Sequence, residues 1–283
     1  MNYIIVTGAS RGLGAALVAA GLDAGAAVIG VSRSGNEELL GPAAVAAAAG
    51  SLTWITADLS DPAAAGSGYA DLFARITDVV DVSAATSVTL INNAGTLDPV
   101  GLTGTDEFSP KGVLRAVTVN VTALIALTHH FIRRFGPLPG PSGPSALPGP
   151  PGLPADVRRT VINISSGASG RVMPGLAVYS ASKAAVNAFT TSSAAEVDIL
   201  VSRGGFAPVQ MYAVSPGIVD TDMQKTLRSG TPEKLPERDV YASWHTDGKL
   251  KTPAETARQI LKLVNRTDLV SGQYIHIDEI DKV

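Results

Sequence analysis

The chain has 283 residues, 45% hydrophobic and 17% charged, with 29 glycines and a formal charge of -3 at neutral pH. This balance gives a packed core with many tight turns and excludes a disordered chain; without a basic surplus, nucleic acid and anionic membrane surfaces are poor partners. With no cysteine there is no disulfide framework, thiolate nucleophile or Cys-based zinc site, which fits a cytoplasmic chain.

Met1-Asn2-Tyr3 runs straight into Ile4-Ile5-Val6, with no basic leader or cleavage site, so the start reads as a first strand, Tyr3 to Thr7. Next come Thr7-Gly8-Ala9-Ser10-Arg11-Gly12-Leu13-Gly14 and an alanine-rich helix, Leu13 to Ala24. The glycines follow G-x-x-x-G-x-G, not the G-x-G-x-x-G dinucleotide fingerprint, but they serve the same purpose. Glycines let backbone approach a pyrophosphate, and the N–H groups of a helix N-terminus meet its charge. A second strand, Ala27 to Ser32, ends at Ser32-Arg33-Ser34, where a carboxylate would select the ribose 2'-hydroxyl of NAD. Hydroxyls and a guanidinium there, with Arg11 in the turn, suit the 2'-phosphate of NADP(H).

Further strands are expected at Thr53 to Ala57, Val88 to Asn92, Thr160 to Ser165, Gln210 to Ser215 and Ile275 to Ile277. Helices fall between them at Glu37 to Ala49, Gly68 to Val80, Lys111 to Phe135, Tyr179 to Val201 and Pro253 to Leu263. Val- and Ile-rich runs without polar alternation are strands buried on both faces, the pattern of an α/β fold with a doubly wound parallel sheet of about seven strands and helices on both faces. Asp58, in Ala57-Asp58-Leu59, is placed to accept the adenine amino group or to cap the next helix. Residues 136–156 carry eight prolines among Gly and Ser, which rule out helix and sheet and mark a surface insertion within a single domain spanning 1–283. Residues 222–251, polar and containing Pro232 and Pro236, read as a substrate lid with Tyr241 or Trp244 facing the ligand. His129, His130, His245 and His276 lack metal-ligand spacing, so no metal is expected.

The chemistry sits in Tyr179-Ser180-Ala181-Ser182-Lys183. A phenol and an ammonium at i and i+4 share one helix face, and a neighbouring cation favours the phenolate of a group whose free pKa is ~10. Tyr179 is the proposed general acid toward a carbonyl oxygen. Ser166, at the end of the strand before it, can donate to the same oxygen. Ser165 should point to the opposite face, and Ser169 is the competing hydroxyl.

Taken in order, Thr7 to Gly14, Asn92-Asn93-Ala94-Gly95, Asn120, Ser166, Tyr179, Lys183 and Pro216-Gly217-Ile218-Val219-Asp220-Thr221 resemble the short-chain dehydrogenase/reductases. The resemblance covers nearly the whole chain. It implies a single Rossmann domain and a catalytic tetrad in which Asn120 holds a water linking Lys183 to solvent. It also implies cofactor contacts from Gly8, Ser10, Arg11, Gly12, Leu13, Gly14, Ser32, Arg33, Asp58, Leu59, Asn93, Ala94, Gly95, Tyr179 and Lys183, with Pro216, Gly217, Val219 and Thr221 bordering the nicotinamide. Within the family, Val161 to Ala168, Pro216 to Gln224 and Gly272 to Asp278 look like the sepiapterin reductase and benzil reductase branch, whose members reduce vicinal diketones with NADPH. The proline-rich insertion and the ending after Asp278 depart from that branch.

The expected activity is NADPH-dependent reduction of a ketone or vicinal diketone, by a homo-oligomer, dimer or tetramer, acting on a small molecule. The rivals are the same machinery oxidising an alcohol with NAD(P), a quinone or pteridine reductase differing only in pocket shape, and a non-catalytic NADP(H) sensor that uses the proline-rich loop as a contact surface.

Overall fold

The computed structural model describes residues 1–35, 51–61, 68–106, 108–138, 152–266 and 268–282. The expected helix Glu37 to Ala49 and residues 139–151 of the proline-rich insertion lie outside them. Seven strands form one parallel sheet: β1 Asn2–Thr7, β2 Ala27–Ser32, β3 Leu52–Thr56, β4 Ser87–Asn92, β5 Arg158–Ile164, β6 Gln210–Ser215 and β7 Tyr274–His276. Their order is β3-β2-β1-β4-β5-β6-β7. After β3 the chain crosses to the far side of β1, so a crevice opens at the carboxyl ends of β1 and β4, where Val6 pairs with Ile91. Strands β3 and β7 sit one residue earlier than expected. Ile277 instead opens a short 3-10 turn that His276 caps.

Eight α-helices are described: α1 Gly12–Asp23, α2 Gly68–Thr77, α3 Pro110–Val117, α4 Ala123–Phe135, α5 Ala177–Ser202, α6 Asp222–Ser229, α7 Arg238–Thr246 and α8 Pro253–Leu261. One face of the sheet packs Ile5, Leu90 and Val161 against Phe73, Leu127 and Phe131 from α2 and α4. The other packs Ile4, Ile91 and Ile162 against Leu17 and Ile260 from α1 and α8. Both faces of each central strand are therefore buried, which is why those strands read as unbroken Val and Ile runs.

Two expectations need correction. The single helix Lys111 to Phe135 is three pieces, because a wide π turn, Thr118–Thr122, separates α3 from α4. Four of its five residues are β-branched and crowd the preceding turn, and Asn120 at its centre bonds outside the helix. The whole stretch Pro110–Phe135 is long and apolar enough to cross a membrane by length and composition. Here Leu127, Phe131 and Phe135 are buried in the core against the sheet. The second correction concerns 222–251, which holds two helices, α6 and α7; Asp222 heads α6 and does not lie in a loop.

The described ends of the proline-rich insertion are anchored. Pro137 bridges Phe206, Leu138 N–H donates to the Gly205 carbonyl at 3.0 Å, and Leu153 is fully buried. Between them sits Arg159, 2% exposed. Its guanidinium donates to the carbonyls of Phe135 at 2.5 Å, Leu153 at 2.7 Å, Pro154 at 2.9 Å and Val157. Burial lowers its pKa to about 10.

Candidate active site

At the carboxyl end of β1, Gly8 and Gly12 adopt positive φ, +66° and +53°, and a Cβ on Gly14 would stand 2.1 Å from the Gly8 carbonyl oxygen. Only glycine fits there. Thr7 Oγ1 accepts from the N–H groups of Asn93 at 3.0 Å and Ala94 at 3.1 Å, while Asn93 Nδ2 donates to the Thr7 carbonyl at 3.0 Å. These bonds bind the loop after β4 to the glycine turn and leave the α1 N-terminus facing the crevice. The cleft of about 610 Å³ runs from Gly8 and Arg11–Gly14 past Asn93–Gly95 to Ser166, Tyr179 and Lys183, and on under Pro216, Gly217, Val219 and Thr221. Backbone laid bare by glycine beside a helix N-terminus suits the pyrophosphate of a dinucleotide.

Ser10, Ser32, Arg33, Asp58, Leu59 and Asn120 do not line that cleft. The ends of β2 and β3 nevertheless lie beside the turn, joined by Ala9 N–H to the Val31 carbonyl at 3.2 Å and Ala57 N–H to the Ser32 carbonyl at 2.9 Å. Ser32 Oγ donates to the Ser34 carbonyl at 2.6 Å, and Arg33 is exposed. Asp58 accepts from Ser60 N–H at 2.9 Å and Ser60 Oγ at 2.7 Å, which hold its carboxyl below the usual range; Leu59 is buried. Arg11 pairs with Asp222 at 3.6 Å, joining the glycine turn to the head of α6.

Ser166 ends β5 in extended backbone and begins a 3-10 turn, Gly167–Gly170, whose Ala168 N–H it accepts at 3.1 Å. Its hydroxyl also acts on the Tyr179 phenol, lowering the phenol pKa against the upward push of burial. Alternation along the strand turns Ser165 the other way, where its Oγ donates to Asn187 Oδ1 at 2.5 Å. Ser169 is absent from the cleft wall; its Oγ donates to the Ser166 carbonyl at 2.8 Å. Tyr179 and Lys183 lie one turn apart near the start of α5, both buried, with Nζ 5.8 Å from the centre of the phenol ring. Nζ donates to the Ile164 carbonyl at 2.7 Å, and burial lowers its pKa to about 8. Asn120 Oδ1 accepts from Thr96 N–H at 2.8 Å, and its Nδ2 donates to the Thr96 carbonyl at 2.9 Å and to Ser182 Oγ at 3.0 Å. It ties the loop after β4 to the residue beside Lys183.

The phenol departs from expectation. Its pKa is raised, because burial outweighs the lowering by the Ser166 hydroxyl. Tyr241 and Trp244 both reach the cleft, packed edge to face at 5.3 Å. Leu97, Met173, Leu176, Leu227, Glu237 and His276 also line it, though no motif marks them in the sequence. His130 instead stacks on Phe73 at 6.0 Å, remote from the cleft.

A glycine turn, a loop of small residues and a Ser-Tyr-Lys set on one sheet edge define a nicotinamide-dependent oxidoreductase. The chain belongs to the short chain dehydrogenase family, whose model matches residues 2–143 and 151–232. These are enzymes that act on carbonyl and alcohol groups of small molecules. Among relatives, the benzil reductase ((S)-benzoin forming) of Bacillus cereus is 30% identical over 99% of this chain and 100% of its own length. The sepiapterin reductase of Bos taurus is 30% identical over 98% of this chain and 94% of its own. In fold, the chain is similar to the solved KRED1-Pglu enzyme, with a TM-score of 0.74 and 24% identity over 97% of this chain and 100% of that one.

Proposed function

We propose that the protein is an NADPH-dependent carbonyl reductase acting on a ketone or vicinal diketone, with Tyr179 as general acid. The observation that carries this reading is the meeting in one cleft of a buried phenol, the Ser166 hydroxyl and a buried ammonium, beside a glycine turn. When bound, the nicotinamide cofactor supplies the hydride. Gly8, Ser10 and Arg11–Gly14 would hold its pyrophosphate, Asp58 and Leu59 its adenine, and Asn93–Gly95 with Pro216, Gly217, Val219 and Thr221 the nicotinamide side. NADP is favoured because the end of β2 offers no carboxylate, while Ser32 is engaged locally and Arg33 is exposed. Arg11 joins it at little cost, since its exposed pair with Asp222 is weak.

Burial keeps the phenol protonated, so Tyr179 holds a proton to give to a carbonyl oxygen. Ser166 Oγ orients that oxygen, Lys183 compensates charge on the phenol as the proton leaves, and Asn120 holds the loop through which the proton is replaced. Residues 222–251 act as the lid, with Met223, Leu227, Tyr241 and Trp244 forming an apolar wall for the substituents of the ketone. The exposed Ile125 and Leu200 border a second groove between α4 and α5 that suits a second copy in a homo-oligomer. Tyr179→Phe should lower NADPH-dependent diketone reduction by about 10²- to 10⁴-fold with NADPH affinity retained. Full turnover in that variant sinks the assignment. Arg33→Asp should weaken NADPH binding, followed by cofactor fluorescence, by about tenfold relative to NADH.

A further inference from the structure

Behind the cleft, four residues close a directional ring of hydrogen bonds. Ser165 Oγ donates to Asn187 Oδ1 at 2.5 Å, and Asn187 Nδ2 donates to Ser169 Oγ at 2.9 Å. Ser169 Oγ in turn donates to the Ser166 carbonyl at 2.8 Å, and Ser169 N–H reaches the same carbonyl at 3.1 Å. The amide of Asn187 thus accepts from Ser165 and donates to Ser169, whose own hydrogen is aimed at the Ser166 carbonyl; Ser165 Oγ also lies 3.5 Å from the Lys183 carbonyl. Asn187 lies one helical turn beyond Lys183, on the helix that carries Tyr179. Neither Asn187 nor Ser169 lines the cleft.

We propose that Asn187 is a positioning residue, which through Ser169 locks the backbone of Ser166 to α5 and so sets the distance between the Ser166 hydroxyl and the Tyr179 phenol. The inference rests on the reading of those two groups as the pair that meets the substrate oxygen. Without the ring, Ser166 keeps the end of its strand, the Ser169 N–H on its carbonyl and the Ala168 N–H that its hydroxyl accepts, and the 3-10 turn loses the Asn187 bond that ties it to the helix. The Ser166 hydrogen bond opposes the upward push of burial on the phenol, so a looser Ser166 leaves Tyr179 a weaker acid. A residue needed only for folding would not move that property.

The test compares Asn187→Leu, the milder Ser169→Ala and Thr190→Val. Thr190 accepts from Asn163 at 2.9 Å, a bond of the same kind between β5 and α5, one turn further from the cleft. Two quantities are read: ring-13C NMR titration of Tyr179, assigned against Tyr179→Phe, and the pH profile of kcat with NADPH. Asn187→Leu should raise the Tyr179 titration by about one unit and lower kcat about tenfold with KM little changed. Ser169→Ala should give part of that shift, and Thr190→Val none at equal loss of Tm. An unmoved Tyr179 titration in both Asn187→Leu and Ser169→Ala, or an equal shift in Thr190→Val, overturns the proposal. A shifted titration in a protein that reduces no ketone would leave the positioning role standing and remove the proposed activity.

Discussion

Among the described residues two cationic side chains are buried, and they are satisfied differently. Arg159 and Lys183 are 2% and 4% exposed, and neither forms an ion pair among the described residues. Arg159 gives its fork of N–H groups to four carbonyls, drawn from the end of α4 and the returning strand. Lys183 gives one bond to Ile164 and keeps further donor capacity at the cleft. The saturated cation is a structural clamp, which holds the two ends of the proline-rich insertion together. The unsaturated one is a charge available to a ligand, kept at the expense of stability.

Lys183→Met should break the comparison most visibly: reduction falls by about 10²- to 10⁴-fold, while the protein gains about 1–2 kcal/mol in urea unfolding because an under-satisfied buried charge is gone. A loss of stability there would mean that Lys183 is a clamp as well. Arg159→Met should do the reverse, costing about 3–5 kcal/mol by removing the donor that four carbonyls share, with kcat per folded molecule unchanged. The smallest effect is in pH. Lys183 is depressed to about 8, so reductive kcat/KM should decline as pH rises through that value and the charge is lost. The sign for stability is opposite. Between about pH 8 and the ordinary lysine range near 10.5 the unfolded chain binds the proton that the folded chain has released, so the Lys183 contribution to unfolding free energy rises with pH. Urea midpoints for the protein and for Lys183→Met across that window measure it.

The sheet was legible because strands covered on both faces leave unbroken Val and Ile runs, and the glycine turn because no other residue tolerates its backbone. Ser166, Tyr179 and Lys183 were legible through spacing and chain order. Residues whose role depends on what lies opposite were not. Arg159 reads as half of an ordinary Arg158-Arg159 pair at a strand start; only the fold brings carbonyls around it. Leu97 and Met173 come from separate connections and His276 from the end of β7, and they share no period. The short helices α6 and α7 are polar and flanked by prolines, so their apolar positions, such as Leu227 and Tyr241, gave too little pattern. The phenol was misjudged because the i, i+4 spacing gives the proximity of a cation but not the burial that raises the phenol pKa.

The wide turn Thr118–Thr122 has a consequence for how the chain tolerates insertion and deletion. Each α-helical residue rotates the chain by about 100°. Deleting one residue from this turn would let α3 and α4 run on as one regular helix, with better local geometry than before. It would also swing α3 about its axis relative to α4 and carry Asn120 away from Thr96 and Ser182. A shorter, more regular helix would then fold well and fail at the cleft, so the extra residue is one that selection for stability alone would discard.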